Sequence, residues 1–224
     1  MFSPRGPSLR ELVVQAMSSV EHGYDLLAPK FDQTPFRTPS RVLEATTAAL
    51  PGPFANGLDV CCGTGAGLSV LSSVCTSVTG VDFSAGMLAE AHRAHPAATL
   101  VRADARSLPF AASFDLAVTF GALGHFLPTE RPAVFEGVHR ALKPGGTFAF
   151  PIGETPPVAS VAGLATLGFD VAMRVRNAVW RPPFVMYYRT TPLPALRADL
   201  TAAGFTVVSA DVITPGCRLL LARK

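Results

Sequence analysis

The sequence predicts an α/β fold in which a parallel sheet is covered by helices on both faces. Three observations carry that expectation. Short apolar runs alternate with stretches of helical periodicity, a glycine-rich turn follows the first run, and acidic residues stand at the ends of successive runs. Ligands of open α/β sheets collect at the carboxyl ends of the strands, so those acids are the first candidates for a site.

Taken in order, residues 9–27 have helical spacing of apolar side chains and lead into the Pro-punctuated link APKFDQTPFRTPS. A second helix is expected over Arg41–Leu50, with Thr38 or Ser40 as its cap. Strand GLDVCC and its glycine turn precede a helix over Leu68–Cys75. Strand SVTGVDF, a helix over Ala85–Ala94 behind Ser84, and the short strand ATLVRA come next. Strand FDLAVTF is followed by a helix over Ala133–Leu142 that the turn KPGG should end. After strand TFAFPI the pattern changes to an apolar insertion over 156–190 and a helix over Leu193–Ala203. The runs FTVVSADVI and CRLLLARK flank Thr214-Pro215-Gly216, a turn short enough to pair them antiparallel.

A chain of 224 residues suits one domain. The expected organisation is a single unit over 1–224, with a helical cap over 1–50 and the 156–190 insertion as a substrate lid. A net charge of +3 without a basic run argues against a nucleic-acid partner. The longest apolar stretch, Val158–Met173, is broken by Ser160, Thr166 and Asp170, which argues against membrane insertion. Cys61, Cys62, Cys75 and Cys217 make no CxxC and read as reduced thiols of a cytoplasmic protein. No metal site is expected, His92 and His95 reading as surface residues. The oligomeric state stays open between monomer and homodimer.

LDVCCGTGAGL, residues 58–68, decides the ligand class. A dinucleotide fingerprint starting at Gly63 would need a third glycine where Leu68 stands, and no GK[ST] follows for a P-loop. Asp59, inside the strand, would repel a pyrophosphate and attract an ammonium or sulfonium. Asp82, nineteen residues after Gly63, is placed to accept two ribose hydroxyls, and Asp104 to accept an adenine amino group. Three acids around one pocket suit a cationic nucleoside, S-adenosylmethionine.

The motifs LDVCCGTGAG, GVDFSAGML, RADARSLPF, FDLAVTFGALGHF and RALKPGGTFAF occur in this order. Through them the chain resembles the class I S-adenosylmethionine-dependent methyltransferases, especially the small-molecule branch (methyltransferase type 11) with the ubiquinone and menaquinone C-methyltransferases. The resemblance covers roughly residues 40 to 150. It implies a Rossmann-like sheet of seven mostly parallel strands with the last antiparallel. It also implies that Asp59, Gly63, Thr64 and Gly65 cradle the methionine part of the cofactor, and that Asp82 holds the ribose. Phe83 and Met87 would lie against adenine, Asp104 and the Ala105 amide on its edge, and Phe120 and Gly121 along the path to the methyl group. Tyr24 resembles aromatic residues that cover the bound cofactor. Cys61, a cofactor-site candidate expected on the strand just before the loop, stands where many members have glycine, a departure expected to be tolerated.

His125 in GALGHF is the only histidine expected at the end of a strand facing the methyl donor, and is the candidate general base. It is also assigned to the acceptor side, with Phe31 of the link and Trp180, Arg181, Tyr187 and Tyr188 of the insertion. The expected activity is O- or C-methylation of a small, apolar or aromatic metabolite. The alternatives are a cofactor-binding protein without transferase activity and an NAD(P)-dependent oxidoreductase. TFGAL lacks the Asn/Asp-Pro-Pro-aromatic motif used on nucleic-acid amines, and no catechol-type carboxylate set for a metal is evident.

Overall fold

A computed structural model describes residues 6–8, 20–34, 36–154, 160–161, 164, 167–168, 171, 175, 179 and 191–224. Seven strands form one sheet in the order β3-β2-β1-β4-β5-β7-β6. They are β1 (Phe54–Val60), β2 (Cys75–Asp82), β3 (Thr99–Arg102), β4 (Phe114–Val118), β5 (Leu142–Gly153), β6 (Thr206–Thr214) and β7 (Cys217–Arg223). The first five are mutually parallel, and β7 runs antiparallel to both β5 and β6. The chain winds outward from β1 through β2 to β3, then returns to place β4 on the other side of β1. That reversal opens a crevice at the carboxyl ends of β1 and β4.

Helices cover both faces because side chains alternate along each strand. Leu58, Val60, Phe148, Phe150 and Leu220 pack on one face with Val134, Phe135 and Val138 of helix α5 (Arg131–Ala141) and Leu196 and Leu200 of α6 (Leu193–Ala202). Leu116, Val118, Ala149 and Leu219 face the other way, against Leu43 of α2 (Ser40–Ala49) and Val70 and Leu71 of α3 (Ala66–Val74). Helix α1 (Val20–Leu27) and a 3-10 segment, Ala28–Gln33, precede α2. They lie beside α4 (Ala85–Ala94), whose cap is Ser84, its hydroxyl accepting from the Met87 N–H at 3.1 Å. Among the described residues no helix is long and apolar enough to cross a membrane.

Several boundaries differ from the sequence reading. β1 ends at Val60 rather than Cys62, because Cys61 takes a left-handed backbone with φ 59°. β4 ends at Val118, after which the Thr119 hydroxyl donates to the Val60 carbonyl at 2.7 Å and ties the two strand ends together. KPGG does not stand apart as a turn. The helix stops at Ala141, and Lys143–Gly146 bulges within β5, held by Gly145 N–H to the Lys224 carbonyl (3.1 Å) and Lys224 N–H to the Gly146 carbonyl (3.0 Å).

A side chain at φ 59° brings its Cβ against the following carbonyl, which costs about 1–2 kcal/mol and falls away with glycine. Glycine at position 61 would relieve that strain. In thermal denaturation Cys61→Gly should melt at or above the wild type. Cys61→Val should be less stable by about 1–2 kcal/mol, because branching at Cβ makes the left-handed conformation worse.

Candidate active site

A cavity of about 760 Å³ opens over the crevice between β1 and β4, within the range of about 300–1,000 Å³ usual for small-molecule sites. Tyr24, Phe31, Asp59, Cys61, Gly63, Thr64, Asp82, Phe83, Met87, Asp104, Ala105, Phe120, Gly121 and His125 all line it. Gly65 does not. It caps α3 with φ 101°, and a Cβ there would fall 2.6 Å from the His95 ring. Trp180, Arg181, Tyr187 and Tyr188, like most of the 156–190 insertion, lie outside the described residues.

Asp59 is 1% exposed, and neither carboxylate oxygen has a hydrogen-bond partner. Alternation along β1 turns it away from Leu58 and Val60 and under the amino end of α3. There Gly67 lies so close that a Cβ would sit 2.4 Å from Asp59 Oδ2. Burial, and then the Asp82 charge, push the Asp59 carboxyl well above the usual range, opposed only by the nearby Leu68 backbone N–H, which lies outside hydrogen-bond geometry. A buried, unpaired carboxylate is expensive unless something positive meets it, so the site is poised for a cation.

Asp82 is bonded into the backbone around it. Its Oδ2 accepts from Gly63 N–H at 2.9 Å and its Oδ1 from Ser84 N–H at 3.0 Å. The carboxylate thus joins the loops after β1 and β2. Burial raises its pKa, and those N–H groups offset part of the rise. Asp104 is in a different state. The Arg106 side chain grips both its oxygens at 2.6–3.0 Å and lowers its pKa. Arg106 continues to Glu130 Oε1 at 2.6 Å, so an ion-paired chain rims the cavity.

Residues of α1 and the 3-10 segment that the sequence reading did not single out hold the strand-end loops. Asp25 accepts from the Ser84 hydroxyl at 2.6 Å and from Gly86 N–H at 2.8 Å, and Asp32 accepts from the Thr64 hydroxyl at 2.8 Å. Glu21 pairs with Arg102. The available signal was the dipeptide of an aromatic residue and aspartate, Tyr24-Asp25, repeated seven residues later as Phe31-Asp32.

The Asp59 shift has a signed consequence for the ligand-free protein. Its folded pKa lies above the unfolded value, so the charging penalty is absent below about pH 4 and grows as pH rises through the window above it. Asp59→Asn removes that titration. Its melting temperature relative to wild type should therefore climb as pH rises above about 4 and level off once the folded carboxyl ionises, and a difference that does not vary with pH would contradict the buried-charge assignment.

Residues 58–146 match the methyltransferase domain family. An uncharacterised methyltransferase of Synechocystis is 42% identical over 93 residues, 41% of this chain and 44% of that protein. A demethylmenaquinone methyltransferase of Beutenbergia cavernae is 37% identical over 111 residues, 48% of this chain and 44% of that protein. The chain thus spans less than half the length of these curated relatives in the matched region. In fold it is similar to the DhpI–SAM–HEP complex, with a TM-score of 0.71 and 20% identity over 97% of this chain and 100% of that one. The sheet order, the glycine turn at the β1 end and the matched residues all agree: residues 58–146 carry a methyltransferase domain, on a fold similar to that of S-adenosylmethionine-dependent methyltransferases.

Proposed function

We propose that the protein binds S-adenosylmethionine across the carboxyl ends of β1, β2 and β3 and methylates a small, apolar or aromatic metabolite at oxygen or carbon. The buried, unpartnered Asp59 carboxylate, facing the same cavity as Asp82 and Asp104, is the observation that carries this reading. Such a cluster attracts a cationic nucleoside and repels a pyrophosphate.

Asp59 and the turn at Gly63 and Thr64 receive the methionine end, where the α3 amino terminus offers N–H groups to its carboxylate. Asp82 accepts the ribose hydroxyls, while Phe83, Met87 and Ala105 flank the base. Asp104 acts at the adenine edge in the geometry that Arg106 imposes. Bound S-adenosylmethionine supplies a methyl group on a positively charged sulfur, an excellent leaving group. The chain's own contribution is positioning in a dry pocket, with His125 taking the acceptor's proton. Phe31, Phe36, Phe126, Leu127 and Ile152 form an apolar wall on this cavity, which favours an apolar acceptor. The 156–190 insertion, with Trp180, Arg181, Tyr187 and Tyr188, serves as the lid.

The test combines titration calorimetry with S-adenosylmethionine and NADP, then mass spectrometry after incubation with methyl-labelled S-adenosylmethionine and a panel of phenols, quinols and enols. Binding of S-adenosylmethionine and label in an acceptor are expected. Heat with NADP alone would sink the reading. Binding of S-adenosylmethionine without transfer to any acceptor would reduce the protein to a cofactor binder.

A further inference from the structure

The Tyr24 hydroxyl lies 2.8 Å from His125 Nε2, joining helix α1 to the 3-10 turn Leu123–His125 that follows β4. The two rings meet edge-on with centroids 5.5 Å apart. We propose that Tyr24 is a positioning residue for His125, its hydroxyl fixing the orientation and tautomer of the imidazole for the proton transfer; this rests on the methyltransferase reading above.

The fold, rather than the histidine, sets the place of that hydroxyl. The neighbouring Asp25 is bound to Ser84 and Gly86 at the start of α4, which anchors the turn of α1 carrying Tyr24. The Tyr24 ring is further held against Phe31 at 6.2 Å and Phe83 at 6.4 Å. Phe83 directly follows Asp82, so one aromatic side chain touches both the ribose side of the cavity and the candidate base. An imidazole donates from one nitrogen and accepts at the other, and a neighbour on one nitrogen selects which. With Nε2–H donating to the Tyr24 hydroxyl oxygen, the lone pair that takes the acceptor's proton lies on the other ring nitrogen, Nδ1, a buried atom of the turn. Docking of α1 therefore completes the candidate base.

Tyr24→Phe tests this cleanly, because the ring contacts with Phe31 and Phe83 survive and only the hydroxyl goes. The imidazole nitrogen resonances of ¹⁵N-labelled wild type, Tyr24→Phe and His125→Ala are compared, the last identifying the His125 signals. The His125 nitrogens should shift in Tyr24→Phe toward the averaged positions of a ring exchanging tautomers. Calorimetric affinity for S-adenosylmethionine should stay unchanged. On the acceptor found in the product screen, kcat should fall by about tenfold, a share of the roughly 10²–10⁴ that a general base contributes. Unchanged nitrogen resonances in Tyr24→Phe would overturn the proposal, as would wild-type kcat in that variant. Failure of the underlying reading looks different: the wild type itself gives no heat with S-adenosylmethionine, and the proposal then falls with it.

Discussion

Asp82→Ala should weaken S-adenosylmethionine binding by more than about tenfold in titration calorimetry, because charge-assisted acceptors for two ribose hydroxyls disappear together. Each Asp82 oxygen already accepts one backbone N–H, from Gly63 and from Ser84. A carboxylate has about four acceptor positions, so lone pairs remain for a diol. The substitution therefore also unties the glycine turn from the loop after β2. Stability should fall less than affinity does, since removing Asp82 relieves the desolvation that raises its pKa. Unchanged affinity in a folded Asp82→Ala protein would take this residue out of the cofactor site.

His125→Ala should lower kcat by about 10²–10⁴ while leaving S-adenosylmethionine affinity nearly unchanged. The ring lines the cavity at the end of the β4 loop, beyond the acids proposed for the nucleoside. Its loss removes the proton acceptor without touching Asp59 or Asp82. With a phenolic acceptor, activity should partly return at high pH, because the phenol then ionises without help. A raised KM with wild-type kcat at every pH would assign His125 to pocket shape alone, the interaction being equal in ground and transition states.

Much of this architecture was legible in the order of residues. Runs such as LDVCC and FDLAVTF announce strands by length and β-branched content, and Ala85–Ala94 follows the capping serine as expected. The misreadings share a cause. KPGG has the composition of a turn, yet its backbone finds partners in Lys224 at the far end of the chain and becomes a bulge. Cys61 reads as a strand residue because sulfur is apolar, while its backbone follows the turn. The turn pattern points to Gly65 rather than Gly67 as the ligand glycine, because spacing alone does not say which glycine lies over Asp59. Arg106 was invisible as a partner of Asp104, since the pairing depends on a 3-10 turn and on Glu130 from another loop.

The sequence by itself determined the alternation of strands and helices, the glycine turn, and the acids at the ends of three strands, all local features written in short-range patterning. Only the tertiary structure decided that β4 lies beside β1, so that the chain reverses there and opens the crevice. It also decided that Asp59 is sealed under α3 without a partner and that Tyr24 meets His125 across 101 positions of sequence. Such contacts arise from the packing of whole elements and from the register of parallel strands joined by long crossovers. Local periodicity carries the identity of each element, and packing alone carries which elements become neighbours.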